Sequence, residues 1–439
     1  MRSLASAAVL PAFAYAAEPD PLTALVGGRL IDGYGGMPLE DSVILIDGER
    51  IVAVGTTADT TVPATANVVS AEGCTVLPGL TDACTHLARL GHADLARWDS
   101  VYLPLAERVV MPLAAQLMSR AGVTAAHDVG SPLEATLLLR GRGHSRATPQ
   151  PRIHGSGPLL AQRNHAGFAT VVVDDPREAR ARALELLRSG VDSLAVADVA
   201  ALADGELAAI VAAAHGLQAT VHAYLATDAD LLPALEAGVD GWLGVGDGTA
   251  DPWPAGVTEA LTRRTAAQPL VVASLLSPAL AIAWLKITHE PLDDRRWREG
   301  WPALVADDVR ESLNDGTLGL LAATDSTARQ KVRAQRVATL VANGALVVAG
   351  SGAGLPGQLP GQAMAAEIEA LTVDAGLGAM EAIRRATYWP AVALGVQHES
   401  GTVTAGKYAD LLCVRGDVLR HVERLADIEA VFRRGVRLA

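Results

Sequence analysis

The chain has 439 residues, half of them hydrophobic and only 4% aromatic, with a formal charge of −13 at pH 7. This composition excludes a disordered chain, and the acidic balance excludes a nucleic-acid groove or an anionic membrane surface as partner. Three cysteines, Cys74, Cys84 and Cys413, are too few and too scattered for a disulfide framework.

The chain opens "MRSLASAAVLPAFAYAAEPDP", with one arginine ahead of an apolar run that ends Ala14-Tyr15-Ala16. That layout predicts a secretory signal over residues 1–17 and a periplasmic or secreted protein; an uncleaved leader would leave the chain cytoplasmic. No later apolar run both reaches membrane-spanning length and lacks turn signals, so no membrane insertion of the mature protein is expected. From residue 23 short strands follow, "ALVGGRLIDGYGG" and "SVILIDGERIVAVG", with Asp47-Gly48 as a hairpin signal. The C-terminal end repeats this texture in "GTVTAGKYADLLCVRG" and "DIEAVFRRGVRLA". Residues 23–75 and 400–439 are therefore expected to pair into one small β-sandwich domain.

Between them, residues 76–399 alternate strand-like and helical stretches. The strand-like runs are "CTVLPGLTDA", "GVTAAHDVG", "PRIHGSGPLL", "VDSLAVAD", "LQATVHAYL", "VDGWLGVG", "PLVVASLL" and "GALVVAGSGAG". Helical stretches such as "DDPREARARALELLRSG" begin with acidic cap candidates and end at glycine. Eight such strands predict the α/β class and a (β/α)8 barrel. An open doubly wound sheet is the alternative, but no Gly-rich phosphate fingerprint follows the first strand. The charged segment 284–335, with Trp284, Trp297 and Trp301, is expected to be helical and to form a lid beside the seventh strand.

With these pieces in this order, the sequence resembles the amidohydrolase superfamily, in particular its imidazolonepropionase-like and Xaa-Pro dipeptidase-like branch. "VLPGLTDACTHL" looks like that family's first barrel strand, "AGVTAAHDVG" like its second, and "AIRRATYWPAVALGV" with "GTVTAGKYADLLCV" like its closing helix and returning sheet. The resemblance implies one or two divalent metals that activate water and polarise a carbonyl. Their ligands would be a His-x-His pair on strand one, a carboxylated lysine on strand four, histidines on strands five and six, and an aspartate on strand eight. Matched residue by residue, those places hold Cys84 and His86, Ala195, His222, Gly244 and Gly352. Two of the six groups are kept, so no binuclear metal mechanism is expected. Asp247 lies three positions after Gly244, and Asp325 in "LAATDST" resembles the family's Thr-Asp but precedes the helix-like stretch that in the family comes before strand eight.

The polar residues expected at the C-terminal strand ends are Cys84, His86, His127, Asp128, Arg163, Asn164, His165, Asp198, His222, Tyr224 and Ser351. Trp242 either fills space left by a metal or packs outward against a helix. Three readings follow. In the first, Cys84, His86 and His222 hold one zinc, with His127 or Asp198 as fourth ligand, for hydrolysis of amides, esters or lactones. Alternatively, Cys84 as nucleophile, or His222 and His127 as an acid/base pair, would work without metal in hydrolysis, elimination or isomerisation. A catalytically inactive small-molecule-binding protein is the third. Cys84, His86, His127 and His222 are the catalytic candidates; Asp128, Arg163, Asn164, His165, Asp198, Tyr224, Trp242 and Ser351 are the substrate-binding candidates. The expected partner is a small molecule, no cofactor is expected unless it is that zinc, and a homo-oligomer is left open.

Overall fold

The computed structural model describes residues 22–143, 145–146, 148, 150–202, 205–280, 300–314 and 327–438. The expected leader and Asp325 lie outside the described residues, as does most of the expected lid; of that segment, helices Ala303–Asn314 and Thr327–Ala342 are described.

Five strands open the fold: β1 (Thr23–Leu30), β2 (Leu39–Asp47), β3 (Arg50–Thr56), β4 (Asn67–Ser70) and β5 (Cys74–Pro78). The Asp47-Gly48 signal is a hairpin in which Asp47 faces Arg50 across a two-residue turn, with Gly48 at φ +53° as such a turn requires. The barrel strands follow: β6 (Leu80–Thr85), β7 (Val123–Val129), β8 (Arg152–Gly157), β9 (Leu159–Ala161), the short β10 (Thr170–Val172), β11 (Ser193–Val196), β12 (Thr220–Tyr224), β13 (Gly241–Leu243), β14 (Val271–Ala273) and β15 (Leu346–Val348). The chain closes with β16 (Leu411–Arg415), β17 (Ile428–Arg433) and β18 (Val436–Arg437).

The two chain ends meet as expected. β5 pairs antiparallel with β16, joining β1–β5 and β16–β18 in one mixed sheet of eight strands. Its core contains Leu25, Ile44, Val76, Leu411 and Phe432, drawn from both ends of the sequence.

In the middle, parallel pairings run β6–β7–β8, β9–β11 and β11 through β15. β9 continues the run of β8, and Asp192 N bonds Gly155 O at 2.8 Å where β11 begins. The ring closes through Ala83 N to Ala349 O and Gly352 N to Cys84 O, both 2.9 Å. Helices pack around this ring. The one over Pro176–Ser189 shows why these sequences become helices: Asp175 caps its first N–H groups, Pro176 sits where no N–H is needed, and Gly190 ends it at φ +101°. Among the described residues no helix is long and apolar enough to cross a membrane.

Trp242 lies on the outer face of the ring. Its neighbours Gly241 and Leu243 point inward, to His222 and to the apolar interior, while Trp242 packs 6.4 Å from Trp253 in the layer between strands and helices. Its indole therefore packs outward, while the residue also borders the cavity at the barrel floor.

One buried ion pair fixes the loop after β13. Arg336, on the Thr327–Ala342 helix, donates to both oxygens of Asp228 (2.6 and 2.9 Å) and to the carbonyls of Val245, Ala250 and Pro252. Burial alone would raise the Asp228 pKa, but Arg336 and the N–H groups of Gly248 and Ala250 hold it well below the ordinary carboxylate range.

Candidate functional site

The inward-facing side chains form three layers rather than one pocket. The middle layer is apolar: Cys84, Val129, Leu159, Ala161, Ala195, Ala197, Leu243 and Ala273 form one buried cluster. Cys84 is enclosed there, and burial, followed by the charges of Asp82 and Asp128, pushes its thiol well above the ordinary value. Without a bound metal, that setting disfavours the thiolate form that a nucleophile needs.

Toward the N-terminal ends of the strands lies a cavity of about 230 Å³, lined by His127, His154, His222, Asp82, Asp240 and residues of the closing helix such as Pro390. The rings of His154 and His222 lie 5.1 and 5.0 Å from that of His127. His127 is fully committed. A carbonyl can only accept, so Nδ1 donates to Ala83 O (3.2 Å) and Nε2 accepts a hydrogen bond from the hydroxyl of Ser156 (2.8 Å) or Ser193 (3.2 Å). His222 reaches Thr220 Oγ1 at 3.2 Å, and its ring occupies the space a Cβ at Gly241 would need, 2.4 Å from Nδ1. Both histidines were expected at the C-terminal mouth; the structure places them on this floor, with His154 and the two serines that the sequence reading did not single out.

The mouth itself holds a cavity of about 410 Å³ lined by Leu159, Gln162, Arg163, His165, Phe168, Asp198, Tyr224, Ala226 and Thr227, among others. Asp198, at the exit of β11, takes the left-handed conformation, φ +53°, which costs a non-glycine residue energy and recurs at functional sites. Its carboxylate accepts from His165 Nε2 at 2.9 Å and lies 3.3 Å from Arg163 Nη2. Asn164 is exposed and does not line the cavity. His86 lies under the mouth, its ring 5.0 Å from Phe168 and 5.9 Å from Tyr224. His86 Nδ1 donates to Val129 O (2.8 Å), while buried Nε2 has no partner.

Asp128 and Ser351 are framework rather than lining. Asp128 accepts Leu87 N at 2.7 Å, fixing the turn after β6. Ser351 Oγ bonds Asp82 Oδ2, and Ser351 N bonds Asp82 Oδ1 at 2.9 Å. This clasp lays the end of β15 against β6 so closely that a Cβ at Gly350 would sit 2.8 Å from Ala273 Cβ and 3.1 Å from Cys84 Cβ. Gly352, at φ +63°, has no room for a larger side chain either, because its Cβ would lie 2.8 Å from Leu355 Cδ1.

Among the described residues, Cys84, His86 and His222 do not form a set of three donor atoms all within 4.8 Å of one another. Cys84 is in the apolar layer, His86 above it and His222 below it. Among the described residues, the one set of three His, Cys, Asp or Glu donors within 4.8 Å of one another is Asp174, Asp175 and Glu178, on the outside of the barrel. Asp175 is already occupied as a helix cap.

The buried imidazoles give the fold a defined response to acid. Burial pushes His86, His127, His154 and His222 down from 6.5 to about 3. The unfolded chain therefore binds more protons between those values, so their contribution is complete above pH 6.5 and is lost as pH falls toward 3. Burial pushes Asp82 up to about 7 and Asp128 up to about 6, which has the opposite sign: protonating them below these values favours the folded state. Burial raises Glu367, Glu369 and Asp374 with the same sign as these two carboxylates, but the four imidazoles are expected to dominate, so stability should fall on acidification and His154→Gln should flatten that fall. Urea midpoints measured between pH 7 and 4 check this; identical slopes for both proteins would refute it.

A profile described as the amidohydrolase family matches residues 75–438. No curated protein matches the sequence at a significant level. Among solved structures the chain is similar to a Xaa-Pro dipeptidase with methionine bound in its active site: 20% identity, TM-score 0.73, covering 95% of this chain and 99% of that one. It is also similar to molinate hydrolase, with 22% identity, TM-score 0.68 and 95% of each chain covered. Ochratoxinase of A. niger matches at 18% identity and TM-score 0.67, again over 95% of each chain. At these identities the likeness shows the fold.

Proposed function

The chain belongs to the amidohydrolase family, and on that premise we propose that it hydrolyses a small organic molecule at the C-terminal mouth of the barrel, by chemistry that needs no binuclear metal centre. The observation that carries this reading is the His165–Asp198 pair on the rim of the mouth cavity, held by a strained backbone at Asp198. With Nε2–H donated to the carboxylate, Nδ1 of His165 is free to act as a base. It would take a proton from water as the oxygen attacks the scissile carbonyl, then return that proton to the leaving nitrogen or oxygen. Asp198 holds the tautomer and stabilises the imidazolium formed in between. Phe168 and Tyr224 supply the apolar walls, and Thr227 and Gln162 supply polar edges. The dipeptidase and molinate hydrolase neighbours guide the choice of amides, esters and lactones as test compounds.

The floor cavity is the competing location, because His127, His154 and His222 meet there. Two substitutions separate the two. Ala226→Trp fills the mouth from an exposed position, and Leu394→Trp narrows the floor. Turnover of the test compounds should vanish in the first variant and persist in the second. The reverse pattern would move the reaction to the floor and end this proposal.

A further inference from the structure

Among the described residues, Arg89 is a buried cation with no carboxylate in direct contact. It is 2% exposed, and its Nη2 has no hydrogen-bond partner. Asp99 and Tyr224 act on it only through space, and the Asp99 carboxylate is occupied by Gly167 N at 2.9 and 3.1 Å. Buried charges are ordinarily paired, because losing water costs more than an apolar wall returns. Here the guanidinium faces the ring of Phe168, 4.7 Å from its centroid, and a cation–π contact replaces only part of the lost hydration.

The second unpartnered atom lies beside it. His86 Nε2 is buried, lacks a donor, and belongs to a ring that meets Phe168 edge-on. Phe168 thus stands between these two groups and the mouth cavity, which it also lines. Its ring is seated over Gly130, where a Cβ would come within 2.6 Å of Phe168 Cδ1, and the preceding Gly167 lets the chain pass the Arg89 guanidinium.

We propose that Arg89 anchors a carboxylate or similar small oxyanion of the molecule bound at the mouth, that His86 Nε2 accepts an N–H or O–H adjacent to that group, and that Phe168 turns aside to admit it. The guanidinium fork matches two anionic oxygens, and the imidazole lone pair matches a neighbouring donor. This inference rests on the mouth being the working site and adds the ligand's chemical class.

The test is calorimetric titration of the full chain with glycolate and with its neutral counterpart glycolamide, at constant ionic strength and pH 7.5. Glycolate should bind once per chain and glycolamide at least tenfold more weakly. Arg89→Met should weaken glycolate at least tenfold. If Arg89→Met fails to fold, Arg89→Lys, which keeps the charge but loses the fork, should weaken glycolate measurably. Equal affinity for the two probes, or unchanged glycolate binding in a folded Arg89 variant, would overturn the assignment. Glycolate binding through Arg89 without any turnover would sink the hydrolase reading alone, whereas turnover with KM unchanged in Arg89→Met for anionic compounds would sink the anchor alone.

Discussion

Replacing His165 by alanine is expected to lower kcat/KM by about 10²–10⁴-fold, the range that a positioned acid/base group contributes. The side chain sits at the rim, a quarter exposed, and its one charged partner is Asp198, so removing it should leave the fold intact. Asp198→Asn should cost nearly as much, because an amide can offer its N–H to Nε2 and favour the tautomer that blocks Nδ1 as a base. The double variant should be little worse than either single one, since two residues acting as a unit do not add. A purely structural role would reduce activity through stability and leave the pH profile of kcat/KM unchanged. A catalytic role removes its acidic limb, where a base must lose its proton to act. Turnover within a fewfold of the parent in His165→Ala would exclude the mechanism.

The largest stability effect is expected at Arg336→Met. Removing one partner of a buried, hydrogen-bonded ion pair typically costs about 3–5 kcal/mol, because the remaining charge is stranded. Here Asp228 would be left with the Thr249 hydroxyl and backbone N–H donors but no counter-charge, and the carbonyls of Val245, Ala250 and Pro252 would lose their shared donor. Denaturant unfolding should show the loss as a shifted midpoint. The joint variant Asp228→Leu with Arg336→Met should recover part of it, since no stranded charge remains. A single-variant loss below about 1 kcal/mol would show that water enters and solvates the site.

Much of the architecture is legible in the sequence because each element carries its own signal. The Asp175–Pro176 start and Gly190 stop frame one helix, Asp47-Gly48 marks the hairpin, and the matching texture of the two ends foretells the β5–β16 pairing. The site is less legible, because a two-residue period says which residues point inward but nothing about depth. His222 and Tyr224 share the inner face of β12 at roughly 7 Å separation. One lines the floor and the other the mouth. The same ambiguity merged His127 with His86 and His165 into one expected pocket. Strand β13 has only three residues, too short to reveal which face Trp242 takes. Arg89 carries no motif at all, and its isolation from carboxylates exists only in three dimensions. The histidine and aspartate at the rim, by contrast, lie near the ends of strand-like runs, where barrel sites are expected.

The central claim is that the mouth works through its own side chains. The most direct measurement is turnover of an amide, ester or lactone substrate by protein dialysed against a strong chelator, with metal content per chain determined on the same sample by elemental mass spectrometry. The account predicts full turnover at well under one metal per chain, and loss of turnover in His165→Ala under the same conditions. Turnover that disappears with the metal and returns in proportion to added zinc would contradict it.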